Sequence, residues 1–168
     1  MLSKKIESAL NKQIAQESFA SSYYLSMASW CEFKGLEGAA GFLYRQSAEE
    51  RSHMLKIFKY VNESGGHAIS PEINKSPDNY KSVVEVFKLA LKQEQQNTTS
   101  INQLIDLCLR DKDYSTFNFL QWYVSEQHEE EMVFKNILDK IEIIGTDGKG
   151  IYMIDKAIAK IVLASEAG

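Results

Sequence analysis

Four long stretches of this chain carry apolar residues at helical spacing, and each stripe is interrupted near its middle by a carboxylate. The clearest lies between Asn118 and Phe134, which reads NFLQWYVSEQHEEEMVF. Leu120 and Val124, then Phe134, Leu138 and Ile141, mark its inward face. Between them, where a core helix would carry Leu or Ile, stand Gln127 and Glu130. The other stretches do the same at Glu17, at Glu50 with His53, and at Glu94. A fold that buries these stripes must bring several acids together at one level, and few folds can accommodate that.

The first stripe, over about 4–34, reads Leu10, Ile14, Glu17, Ser21, Tyr24, Ala28, Cys31. Its steps alternate between four and three, as in a bundle helix. Gly35 stops it, and the short turn that follows predicts an antiparallel second helix over about 37–64. That stripe reads Ala39, Leu43, Gln46, Glu50, His53, Ile57, Tyr60 and Val61. Glu50 and His53, three apart, project from one face, with Glu49 on its shoulder.

Residues 65–82 hold both prolines, Pro71 and Pro77, and read as loop. About 18 residues can reach about 60 Å when extended. A helix of about 28 residues is only about 42 Å long. The loop can therefore cross the whole bundle and leave the second and third helices parallel. The third helix, about 83–110, carries Val83, Phe87, Leu91, Glu94, Thr98, Ile101, Ile105 and Cys108. A tight turn at Asp111–Asp113 sends the fourth, about 114–144, back antiparallel. Beyond Gly145–Gly150 a shorter fifth helix, about 151–165, lines up Ile154, Ala157, Ile158, Ile161 and Val162. At half the length it is no member of the main bundle, and its apolar side points to contact with other subunits. The expected architecture is all-α: one domain over 1–168, an up-down-down-up four-helix bundle with a long crossover and a short C-terminal fifth helix.

Composition excludes several classes. A chain of 168 residues, 44% apolar, can bury a full core. A net charge of −4 argues against a general nucleic-acid binder. No run of about 18 apolar residues spans a membrane, and the opening MLSKKIESAL lacks a signal-peptide core, so the expected location is cytoplasmic. Cys31 and Cys108 are isolated and read as reduced core thiols. His67, in the crossover, reads as exposed.

Four inward acids cannot all stay ionised without cations, because burying each charge costs several kcal/mol. Salt bridges would answer this, but Lys12, Arg45, Arg51, Lys88, Lys92 and Lys135 all fall off the stripes. Proton sharing is possible and leaves several polar groups unsatisfied. A metal site is the better reading. One His and several carboxylates with no thiolate at that level suit iron or manganese better than structural zinc, and Glu-x-x-His with glutamates from separate helices is a di-metal bundle pattern.

Along nearly its whole length the chain resembles the bacterial non-haem ferritins, most specifically in EGAAGFLYRQSAEERSHM and TFNFLQWYVSEQHEEE. The resemblance implies a ferroxidase that oxidises Fe(II) with O2 or H2O2 and stores ferric mineral inside a homo-oligomeric cage of about 24 subunits. It implies Glu17, Glu50 and His53 around one iron, with Glu50 bridging, and Glu94 and Glu130 around a second. Gln127 would orient the oxygen species. Glu49, Glu126 and Glu129, with Glu130, would form a third iron site. Tyr24 resembles the tyrosine beside the centre, and Trp122 would likewise lend an electron. Gln127-x-x-Glu130 stands where full symmetry would place a second Glu-x-x-His, which favours iron in transit over a permanent cofactor. Arg51 stands where haem-binding relatives carry Met, so no haem is expected. Phe117 and Leu120 stand where animal ferritins line an entry channel with acids, so iron is expected to enter elsewhere. The fifth helix separates the chain from the mini-ferritins. The alternatives are a di-iron oxidoreductase that keeps its metals, or a metal-free helical interaction protein.

Overall fold

A computed structural model describes residues 2–166, with side chains through Ile161. Five helices follow in order: α1 Lys4–Phe33, α2 Glu37–Glu63, α3 Val83–Asp111, α4 Tyr114–Ile144 and α5 Gly148–Glu166. Contacts between helices set their directions. Tyr44 of α2 donates to Glu32 of α1, while Ser21 and Ser47 meet nearer the middle, so α1 and α2 run antiparallel. Tyr24 reaches Glu94 and Gln13 reaches Asn97, which makes α3 antiparallel to α1 and parallel to α2. Phe87 faces Phe134 and Glu94 faces Gln127, so α4 returns antiparallel to α3. The expected up-down-down-up order is the one observed.

Helix starts follow local chemistry. Ser3 accepts from the Ile6 N–H at 3.3 Å, Ser82 from Glu85 at 3.2 Å and Asp113 from Thr116 at 2.9 Å, each satisfying an orphan donor of a first turn. At α2 the cap is tertiary. Leu36 offers no side-chain acceptor. Asp155 of α5 instead accepts from Gly38 N–H at 3.0 Å and Ala39 N–H at 2.8 Å. The approach is so close that a Cβ on Gly38 would lie 2.1 Å from the Asp155 carbonyl oxygen.

Two apolar cores lie end to end. One is built on Tyr24, Met27, Phe42, Phe87 and Phe134, the other on Leu10, Ile14, Ile57, Leu120 and Tyr123. The acidic level lies between them. Several details differ from the sequence expectation. In α4 the inward position belongs to Tyr123, fully buried, and Val124 is 39% exposed. Tyr123 can take a core place because its hydroxyl donates to the His53 carbonyl at 2.8 Å. In α5 the apolar side packs within the subunit, with Ile154 and Ile158 buried in the first core against α2 and α4. The expectation that this side waits for other subunits is therefore corrected for those two residues. Val162's side chain lies outside the described residues. The helix also begins at Gly148 rather than 151, because Asp147 accepts from the Gly150 N–H at 2.6 Å and starts the turn early.

Candidate metal centre

Each of the four bundle helices turns at least one polar side chain into the gap between the cores. Glu17, Glu50 and Glu94 are fully buried; His53, Gln127 and Glu130 are buried as well. Glu17, Glu50 and His53 each offer a ligand atom, and these atoms lie within 4.8 Å of one another. The His53 Nδ1 is 3.7 Å from a Glu50 oxygen, and its Nε2 is 3.9 Å from Glu126. Both Glu50 oxygens and the His53 Nδ1 are buried with no hydrogen-bond partner. An orphaned buried polar atom costs about 1–3 kcal/mol, more if charged. Orphans clustered in this way are what a cation between them would satisfy. The donor set, hard carboxylates with one imidazole, fits iron.

Across the gap Glu94 is engaged on both oxygens. The Tyr24 hydroxyl donates to one, and the Gln127 amide N–H donates to the other at 3.0 Å. Gln46 donates to Glu49 and, at 3.5 Å, to Glu130. Arg45 lies 3.7 Å from Glu49 and slightly relieves Glu130. Of the acids expected at a third site, Glu49, Glu126 and Glu130 come together, and Glu129 is exposed.

The electrostatics show how crowded the level is. Burial, then the Glu17 and Glu94 carboxylates, holds the Glu50 acid well above the usual range. Burial pushes Glu130 up to about 9, helped by Glu94, Glu49 and Glu126. Glu94 is raised to about 7 by burial, against the pull of its Tyr24 and Gln127 donors. Burial, Glu94 and Glu50 hold the Tyr24 phenol well above its ordinary value. Without a cation Glu50 and Glu130 keep protons at neutral pH while Glu94 titrates close to it, and a bound cation would displace those protons.

Trp122 stands edge-on to His53 with ring centroids 5.1 Å apart, and the Lys56 ammonium lies 3.4 Å from its ring centroid. Leu120 is fully buried in the second core, so it lines no opening; Phe117 is half-buried beside it. Two participants escaped the sequence reading. Gln13 and Asn97 are buried and both donate to Glu17. Gln13 stands four before Glu17, and Asn97 three after Glu94, so each is a polar residue at an inward helical position. That was the available signal.

A family model described as a ferritin-like domain matches residues 7–144. The chain belongs to the ferritin family. It is 48% identical to a bacterial non-heme ferritin of Campylobacter jejuni over 98% of both chains. It is 43% identical to one of Escherichia coli O157:H7, covering 96% of this chain and 98% of that one. Among solved structures, an open-pore ferritin of the archaeon Archaeoglobus fulgidus superimposes with a TM-score of 0.92 at 35% identity, over 95% of this chain and 98% of that one. Ferritin membership matches the fold seen here, an all-α four-helix bundle with a short C-terminal helix. No helix among the described residues is long and apolar enough to cross a membrane.

Proposed function

We propose that this protein is an iron store whose subunits oxidise Fe(II) to Fe(III), with O2 or H2O2 as acceptor, and deposit ferric oxyhydroxide inside a cage of about 24 copies. The observation that carries this reading is the buried trio of Glu17, Glu50 and His53, with one ligand atom of each within 4.8 Å of the others and both Glu50 oxygens and the His53 Nδ1 left unpartnered. Bacterial non-heme ferritins nearly half identical over the full length support it.

In this reading iron is substrate. Glu17, Glu50 and His53 take one ion, and Glu50 also faces the second position, held by Glu94 and Glu130. Glu49, Glu126 and Glu129, with Glu130, form a third and more accessible set through which iron leaves the buried pair. Hard anionic oxygens favour the higher charge, so this donor set makes Fe(II) easier to oxidise. The chain supplies the rest. The apolar cores above and below exclude bulk water, and Tyr24 keeps its own proton and donates a hydrogen bond to Glu94. Gln127 presents N–H groups to the second position. A store, unlike an oxidoreductase that retains its metals, needs weak sites, and the doubly hydrogen-bonded Glu94 fits a weak one.

The test is the rate of Fe(II) oxidation by Glu50→Ala and His53→Ala. Each is expected to lose fast oxidation by about a hundredfold while eluting at the same assembled size as the parent. A double variant that assembles and oxidises iron at the parent rate would remove these residues from the site.

A further inference from the structure

Glu94 is reached from the side of the bundle by four donors in series. The Ser100 hydroxyl donates to the Gln13 side-chain oxygen at 2.8 Å. The Gln13 amide N–H2 donates to Glu17 at 2.7 Å and to the Asn97 oxygen. The Asn97 N–H2 donates to Glu17 at 3.3 Å and to the Gln127 oxygen at 3.2 Å. The Gln127 N–H2 then donates to the Glu94 carboxylate at 3.0 Å and to the Glu94 main-chain carbonyl at 3.2 Å. Gln13 and Asn97 are only 1% and 3% exposed, so water does not compete for these groups.

The Gln127 amide is held from both ends. The Glu94 main-chain carbonyl can only accept and favours the Gln127 nitrogen beside it, and the Asn97 N–H2 favours the Gln127 oxygen on the other side. Its oxygen then needs a donor in a buried place, and Asn97 supplies one. The Asn97 oxygen in turn needs a donor, which is Gln13. Each amide sets the orientation of the next, and all three amides are satisfied at their oxygen and nitrogen. A half-satisfied network in this position would be costly.

We propose that Asn97 is a positioning residue that holds Gln127 in its donor orientation and thereby keeps the second metal position one ligand short. An amide oxygen is a competent ligand for a divalent ion; an amide N–H2 is not. With its oxygen tied to Asn97, Gln127 turns N–H2 toward the second position, where it also occupies a lone pair of Glu94. At the first position Glu17 also accepts from Gln13 and Asn97, but both Glu50 oxygens and the His53 Nδ1 are left open. The network thus makes the pair unequal: one position takes an ion at once, the other holds it loosely. This deepens the reading of Glu17, Glu50, His53, Glu94 and Glu130 as an iron site and rests on it.

The experiment is anaerobic titration of the assembled apo protein with Co2+, a redox-inert probe of both positions, followed by its visible d–d absorption. The parent should bind a first ion tightly and a second at least about tenfold more weakly. Asn97→Leu, close in shape and unable to donate, frees the Gln127 oxygen. It should tighten the second step by about tenfold and change its absorption band. In a Gln127→Leu background the same Asn97→Leu change should have no further effect on the second step, since Asn97 acts through that amide. A purely structural role would give the same effect in both backgrounds. If Asn97→Leu fails to assemble, Gln13→Met, which strips the Asn97 oxygen of its donor, should shift the second step in the same direction by a smaller factor. An unchanged or weakened second step in an assembled variant overturns the proposal. No Co2+ bound by the parent would instead overturn the metal-site reading itself.

Discussion

At the residue scale, the main electrostatic fact is that several acids share one buried level. Glu94 and Glu130 bind protons in the folded apo protein up to about 7 and about 9, against 4.5 for an ordinary Glu side chain. Between those limits the folded state holds more protons than the unfolded chain, so stability falls as pH rises. The site's contribution is fully present below about 4.5 and is lost as pH climbs through about 7 and then about 9. The apo protein should therefore melt at lower temperature at pH 8.5 than at pH 6. A divalent ion should reverse the trend, because it replaces the protons. Melting curves at both pH values, with and without Co2+, check this; an apo protein that stabilises on going from pH 6 to 8.5 would contradict it. Metal loading should also release protons, measurable in a weakly buffered solution.

At the same scale, the inward Glu, His and Gln residues were legible in the sequence because helical periodicity marks a polar intruder whatever its neighbours. Gln13 and Asn97 were equally on the inward faces but carry no charge. An uncharged amide raises no electrostatic alarm, and its partners 84 residues apart are visible only once α1 and α3 are packed. Tyr123 and Val124 show the same limit. A one-residue rotation separates them, and an isolated stripe prefers the aliphatic residue. The structure prefers the aromatic one because the His53 carbonyl waits for its hydroxyl.

At the scale of elements, helix lengths and the crossover were readable from stops: Gly35, whose φ is 76°, the two prolines, and the short turn at Asp111–Asp113, where the structure puts Lys112 in the left-handed region at φ of 57°. The docking of α5 was not, since its anchor is a single acid on one helix capping another 116 residues earlier. Asp155→Ala should cost about 1 kcal/mol, the usual worth of an N-cap. Gly38→Ala should cost more, about 1–3 kcal/mol, because its methyl group collides with main chain rather than with a movable side-chain end. Both losses should appear in chemical denaturation of the subunit, leaving the α1 and α3 starts untouched. A Gly38→Ala protein as stable as the parent would show that α5 is not held where the structure puts it.

At the scale of the whole molecule, a single subunit leaves large apolar side chains in solvent: Phe33 and Ile143 at 83% and Tyr152 at 64% exposure. Leu25 and Ile73, each about half exposed, flank a surface hollow between α1 and the crossover. A monomer seldom tolerates that much exposed apolar surface. The protein should run in solution as a large assembly, and Leu25→Glu should split it into smaller species by light scattering. If the variant's mass matches the parent's, that face is not an interface.

The central claim, that the buried acids form a ferroxidase feeding a mineral store, is tested most directly by loading the apo protein with Fe(II) without oxygen and then mixing rapidly with O2 or with H2O2. The account predicts a fast absorbance rise that saturates at about two to three irons per chain, followed by slow growth of a soluble ferric mineral when more iron is added. Two irons held permanently, with no mineral, would mean a di-iron oxidoreductase that keeps its metals. No Fe(II) bound at all would contradict the account outright.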